Sequence, residues 1–124
     1  MDRLKIDGTK YTLEIDLDPA VGRLQFRGES YPENARAFFA PVFTWLDGYL
    51  ATGPAKVDLE LSLDYLNTSS TKCLLDILEV FEKFRSSGGP VNVTWFYAKD
   101  DSDTLLMGQD LSEDTGLPIQ FVER

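Results

Sequence analysis

Leu59-Glu60-Leu61-Ser62-Leu63-Asp64-Tyr65-Leu66-Asn67-Thr68-Ser69-Ser70-Thr71-Lys72-Cys73-Leu74-Leu75 joins an alternating segment to a cluster of hydroxyls and then to an amphipathic one. Leu59, Leu61 and Leu63 fall on one side of an extended chain and Glu60, Ser62 and Asp64 on the other, the period of a strand buried on one face. A helix opening at the hydroxyl cluster would leave backbone N–H groups unpaired and carry partial positive charge at its start. A hydroxyl or phosphate there meets ready donors, so the junction suits a phosphorylation switch. It suits a plain helix cap equally well, because Asn, Ser and Thr are the preferred capping residues.

Outward from this junction the periodicity changes several times. Tyr11, Leu13, Ile15 and Leu17 alternate with polar residues, and Asp18-Pro19-Ala20-Val21-Gly22 separates them from Leu24-Gln25-Phe26-Arg27, which reads as a hairpin. Segment 33–52 carries Ala35, Phe38, Phe39, Val42, Phe43, Leu46 and Leu50 at helical spacing and ends at Gly53-Pro54; Pro41 inside it either kinks the helix or starts a second piece. Leu74, Ile77, Leu78, Phe81 and Phe84 form the stripe of the next helix, closed by Ser86-Ser87-Gly88-Gly89-Pro90. Val91, Val93, Trp95 and Tyr97 supply a further strand, 100–115 a polar helix, and Ile119 to Val122 a short last strand.

The order is ββαβαβαβ, an α/β fold of one domain over residues 1–124, with a mixed sheet of about five strands. Crossovers stepping in one direction put the helices mainly on one face. Strands covered on both faces would read as continuous apolar runs, and these alternate, so the other face is expected to be open to water. Glu14, Asp16, Asp58 and Glu60 make that face acidic on this reading.

Charge and composition narrow the function. A net charge of −9 argues against nucleic acid and for a protein partner with a basic surface. The chain has no histidine and one cysteine, which removes the commonest general base and any cysteine-based zinc cage; Cys73 falls on a helix and reads as a buried thiol without chemistry. With charged residues after Met1 and no long apolar run, the expectation is a cytoplasmic protein without membrane insertion. Asp100, Asp101, Asp103, Asp110, Glu113 and Asp114 fail calcium-loop spacing, since Leu105 and Leu106 occupy a ligand position and the turn-glycine position. They read as a solvated helix face. Gly88-Gly89 lacks the Lys-Ser/Thr ending of a phosphate loop and follows a helix, and the sequons at Asn67 and Asn92 lack a secretory context. Phe38, Phe39, Phe43 and Trp45 read as core with some spill-over to the surface. No cofactor is implied.

The junction resembles the STAS-type anti-sigma-factor antagonists, in which a strand ends in an Asp-Ser-Ser-Gly pattern that opens a helix and whose first serine is phosphorylated. The corresponding tetrad is Asn67-Thr68-Ser69-Ser70, with Tyr65-Leu66 in the two apolar positions before it and Lys72-Cys73-Leu74-Leu75 continuing the helix. The resemblance places Thr68 at the phospho-acceptor position. Threonine for serine, asparagine for aspartate and the lost glycine set the chain apart from ordinary sigma-factor regulators. Over its whole length, including Gly8-Thr9, Tyr31-Pro32-Glu33-Asn34 and the Leu63 to Ser70 junction, the sequence resembles the SiaC family of bacterial regulatory phosphoproteins, and the match runs close to the family's namesake.

That resemblance implies a STAS-like, non-enzymatic switch. Its threonine is phosphorylated by a kinase of the anti-sigma-factor type and dephosphorylated by a PP2C-like phosphatase, and the unphosphorylated form binds and activates a diguanylate cyclase, promoting biofilm formation and aggregation. Asn67, Ser69, Ser70 and Thr71 are expected to shape the site, with Asp64 orienting the hydroxyl. The competing readings are an anti-sigma-factor antagonist in a partner-switching pathway and a constitutive binding scaffold. An enzyme using Asp64 and Tyr65 as an acid/base pair beside Thr68 would lack an activated nucleophile or an oxyanion partner.

Overall fold

The computed structural model describes every residue from Met1 to Arg124. Six strands and three helices follow in the order β1 (Leu4–Ile6), β2 (Glu14–Asp18), β3 (Arg23–Ser30), α1 (Ala35–Ala51), β4 (Val57–Leu66), α2 (Thr68–Ser86), β5 (Val91–Tyr97), α3 (Ser102–Thr115) and β6 (Gln120–Glu123). The strands lie in one mixed sheet in sequence order, antiparallel from β1 to β3 and parallel from β3 to β6. A strand beyond the five read from the sequence is β1. Its three residues are too few to show a period, and it is placed by pairing Leu4 with Leu17 and Ile6 with Ile15. The alternation at Tyr11 is likewise not part of a strand. The Thr9 hydroxyl accepts the backbone N–H groups of Tyr11 and Thr12, both at 3.1 Å, and folds the segment into a turn before Glu14.

Each helix links two neighbouring parallel strands, and the three crossovers step across the sheet in one direction. All three helices therefore cover the same face. Burial follows: Val57, Leu59, Leu61 and Leu63 of β4 are enclosed, whereas Asp58, Glu60 and Ser62 between them stay partly exposed. α1 runs unbroken through Pro41 and turns Ala35, Phe39, Val42, Leu46 and Tyr49 inward. α2 contributes Cys73, Leu74, Ile77, Leu78 and Phe81, close to the stripe expected from the sequence, with Phe84 at its rim. α3 approaches the sheet through Gly108, where an added Cβ would stand 2.6 Å from the Trp95 indole. Only glycine permits that approach. Asp101, one of the acidic residues of this segment, is the α3 cap, accepting the Thr104 N–H at 3.0 Å and the Thr104 hydroxyl at 2.6 Å.

The open face is not acidic, contrary to the expectation. Asp16 meets Arg3 at 2.6 Å, Glu60 meets Arg23 at 3.0 Å, Asp58 meets Lys56 at 3.2 Å and Glu14 meets Arg27 at 3.7 Å. Cross-strand register sets two of these pairs, bringing Arg23 and Arg27 of β3 beside Glu60 of β4 and Glu14 of β2. Arg3 reaches Asp16 from the segment before β1, and Lys56 is two residues from Asp58 in the chain. The exposed carboxylates Asp103, Asp110, Glu113 and Asp114 lie on or near the outer side of α3 instead.

Phe81 is fully enclosed, so Phe81→Ala is expected to lower the unfolding free energy by roughly 3–5 kcal/mol in urea titrations; a loss below about 1 kcal/mol would contradict its place in the core. The hydrogen bonds from Arg3 hold the Asp16 carboxyl below its ordinary value of 3.8. The small stabilisation from this surface pair is present above the unfolded-chain value and is lost as the pH falls from there through the lowered folded value, because the unfolded chain binds the proton first. The urea midpoint should drop as the pH falls below about 5 and continue to drop below 3.8, and Asp16→Asn should make that drop slightly shallower.

Candidate functional site

Asn67 stands between the last residue of β4 and the first turn of α2, and its polar groups are engaged on both sides. Its backbone N–H donates to the Ser30 carbonyl at 2.8 Å and its Nδ2 to the Pro32 carbonyl at 3.4 Å. Its Oδ1 accepts the Ser70 N–H at 2.9 Å, and its carbonyl accepts the Thr71 N–H at 2.9 Å and the Thr71 hydroxyl at 3.0 Å. One residue therefore caps α2 and ties it to the loop between β3 and α1. Beneath it, the Ser30 and Ser70 hydroxyls share a hydrogen bond of 2.8 Å with both residues enclosed. A buried hydroxyl without such a partner would be costly.

These bonds divide the hydroxyl cluster. Ser70 is buried, and Thr71 is half-buried with its hydroxyl spent on the Asn67 carbonyl. Thr68 and Ser69 are exposed and take no part in the network. With the Ser70 and Thr71 N–H groups satisfied by Asn67, those of Thr68 and Ser69 are the free donors at the positive end of the helix. The first turn of α2 carries no acidic residue, and Lys72 lies one turn further along. Thr68 and Lys72 line a depression of about 380 Å³ with Leu66, Thr71, Leu75, Leu111 and Asp114. An anion at Thr68 would meet the free N–H donors, with Lys72, itself 4.0 Å from Asp76, and the Asp114 carboxylate nearby.

Asp64 does not orient the Thr68 hydroxyl. In the pairing of β3 with β4 the register passes from Gly28↔Leu63 to Glu29↔Tyr65, so Asp64 is an extra residue, a β-bulge, and Gly28 opposite it has φ +103°, the region that favours glycine. The Asp64 carboxylate stays on the open face, where Arg124 reaches it at 2.5 Å and also bonds the Ser62 hydroxyl. The bulge turns Leu66 into the core and Tyr65 outward. Tyr65 cannot then pair with Asp64 as acid and base beside Thr68, because its ring packs edge-on against Tyr31 with centroids 5.7 Å apart. Tyr31 in turn packs edge-on against Tyr11 at 5.2 Å. Sequence reasoning missed this tyrosine cluster; the consecutive apolar pair Tyr65-Leu66, which breaks the period of two, was the available signal. Cys73 is buried, and desolvation pushes its thiol up, partly offset by Arg36, so it is an inert core residue.

The family model of the SiaC family regulatory phosphoproteins matches residues 6–124. The chain belongs to that family. A relative, an uncharacterized protein of Pseudomonas aeruginosa strain UCBPP-PA14, is 38% identical over 119 residues, covering 96% of this chain and 94% of its own length. SiaC of Pseudomonas aeruginosa superposes with a TM-score of 0.92 at 36% identity over the whole of both chains. A chain of the crystal structure of the Pseudomonas aeruginosa diguanylate cyclase SiaD in complex with its activator SiaC gives a TM-score of 0.92 at 36% identity, covering 98% of this chain and 99% of that one. The SiaC-family fold thus holds from the first strand to the last, and the Asn67 junction lies within the matched residues.

Asn67→Ala is expected to cost roughly 1–2 kcal/mol, read as a shift of the urea midpoint. Asn67→Asp keeps the acceptor for the Ser70 N–H and should lose much less. Equal losses would mean that the cap contributes little.

Proposed function

We propose that this chain is a non-enzymatic regulatory phosphoprotein whose switch residue is Thr68. The observation that carries the reading is the division of the hydroxyl cluster: Thr68 is exposed at a helix start with free N–H donors, whereas Ser70 and Thr71 are engaged in structure. Its likeness to SiaC, which was crystallised with SiaD as that cyclase's activator, supports a diguanylate cyclase as the partner. In its unphosphorylated form the protein binds and activates the cyclase, raising cyclic di-GMP and promoting biofilm formation and aggregation. A kinase of the anti-sigma-factor type adds the phosphate and a PP2C-like phosphatase removes it. All of this takes place in the cytoplasm, a setting compatible with the lack of any helix long and apolar enough to cross a membrane.

The chemistry of the switch follows from its position. A phosphate adds about −1.5 to −2 charge at pH 7 and three acceptor oxygens. At Thr68 these oxygens meet the free N–H groups, the helix dipole and Lys72, so the fold accommodates them. A partner packed against the neutral threonine meets a dianion instead. That charge must be desolvated for the complex to form, and the complex dissociates.

Intact-mass analysis and site mapping after incubation with the kinase and ATP test the assignment. One phosphate on Thr68 is expected. Thr68→Ala should stay folded, resist phosphorylation and bind the cyclase like the wild type, and Thr68→Asp should stay folded and bind about 1–3 kcal/mol more weakly. A phosphate mapped to Ser69 with Thr68 unmodified would overturn the assignment.

A further inference from the structure

Three of the five tyrosines of this chain gather on one flank of the Thr68 junction, and all three are exposed: Tyr11 by 58%, Tyr65 by 51% and Tyr31 by 36%. Each comes from a different part of the chain at the C-terminal edge of the parallel strands, two from connections and one from the end of a strand. Tyr11 sits in the turn closed by Thr9, Tyr31 in the loop after β3, and Tyr65 beside the bulge at the end of β4. The backbone holds them in place. The Tyr31 N–H donates to the Tyr11 carbonyl at 2.9 Å, and Asn67 grips the Ser30 and Pro32 carbonyls on either side of Tyr31. The rings pack edge to face at 5.2 and 5.7 Å, so their order does not wait for a ligand. Exposed, ordered tyrosines present large contact area at low entropic cost on binding.

The charges around the rings select the partner's chemistry. Glu29 pairs in register with Tyr65 and lies two residues before Tyr31, Glu33 follows in the same loop, and both carboxylates are exposed without an ion pair. Lys10 is the cation next to Tyr11. Aromatic faces beside exposed carboxylates that lack an ion pair suit a guanidinium, which can stack on a ring while its N–H groups meet a carboxylate. The open sheet face nearby offers no such charge, because its carboxylates are already paired.

We propose that Tyr11, Tyr31 and Tyr65, with Glu29, form the docking surface for an arginine-bearing segment of the cyclase partner, continuous with Thr68 through Asn67. The proposal rests on the function given above and adds where the partner sits and by which chemistry it is held. It also accounts for reach. The Asn67 side chain joins the loop that carries Tyr31 to the turn that carries Thr68, so a partner seated on the tyrosines lies against the phosphorylation site.

The test uses the full chain and the purified SiaD-type cyclase of the same organism, with equilibrium binding and the rate of Thr68 phosphorylation as readouts. Tyr31→Ala and Tyr65→Ala should each raise the dissociation constant about tenfold or more, as central aromatic anchors do. Tyr65→Phe, which keeps the ring, should stay within about twofold. Tyr65→Arg keeps bulk at the position and should weaken binding, most strongly at low salt, by repelling the partner's arginine. Thermal melts establish that each variant is folded, and the Phe and Arg pair decides the question should an alanine variant melt early. Wild-type affinity in Tyr31→Ala/Tyr65→Ala, with Thr68→Asp still impaired, would overturn this surface and leave the switch standing. Tighter binding by Tyr65→Arg would overturn the arginine chemistry, and slowed phosphorylation with unchanged cyclase binding would reassign the surface to the kinase. A wild-type chain that does not bind the cyclase would overturn both the surface and the function on which it rests.

Discussion

The structure depends on a sheet that buries one face only. Val57, Leu59, Leu61 and Leu63 lie on one side of the central strand beneath helices, and Asp58, Glu60 and Ser62 on the other side remain in contact with water. Because side chains alternate with a period of two, shifting this strand by one residue would put the carboxylates in the core and the leucines outside. The register of β4 against β3 and β5 is therefore strongly specified. With it come the direction of the crossovers and the common edge where the loops after β3, β4 and β5 meet.

The functional region arises where this regularity is interrupted. Asp64 adds one residue to β4, so Leu66 closes the core and Tyr65 turns out, and Asn67 then ends the strand and starts α2. A bulge of this kind re-aims side chains at the end of a strand. Asn67 uses both ends of its amide and its backbone, so the loop after β3 and the start of α2 behave as one body. The Ser30–Ser70 pair below keeps that body attached to the core without leaving a buried hydroxyl unsatisfied. Thr68 is left exposed at the start of α2 and outside these bonds, so a group added to its hydroxyl would leave them in place.

The open face shows how far the protein's charge can mislead. A net −9 does not mean that every carboxylate cluster is a negative patch, because the four carboxylates expected to make that face acidic each have a cationic neighbour. Exposed pairs of this sort add little stability each, and their main effect is on the field that a partner meets. Over the sheet the carboxylates are paired, whereas those of α3 and those of Glu29 and Glu33 are exposed without an ion pair.

Local pattern alone determined most of the elements: the alternation of β4, the stripe of α2, the hairpin of β2 and β3 and the helical spacing of α1 are properties of neighbouring residues and appear directly in the sequence. The order of elements also determined that the helices share one face, and the Asn67-Thr68-Ser69-Ser70 tetrad marked the junction. Tertiary structure decided what depends on residues distant in the chain. The three-residue β1 exists only by pairing with β2, the Arg23–Glu60 and Arg27–Glu14 pairs of the open face depend on cross-strand register, and the separation of Thr68 from Ser70 depends on Ser30, forty residues away. The tyrosine cluster is of the same kind, since Tyr11 and Tyr31 come from two separate connections and Tyr65 from the end of β4. Periodicity reports the environment of one element against a generic core, whereas a site is built from the specific distances between elements, which exist only once the chain has folded.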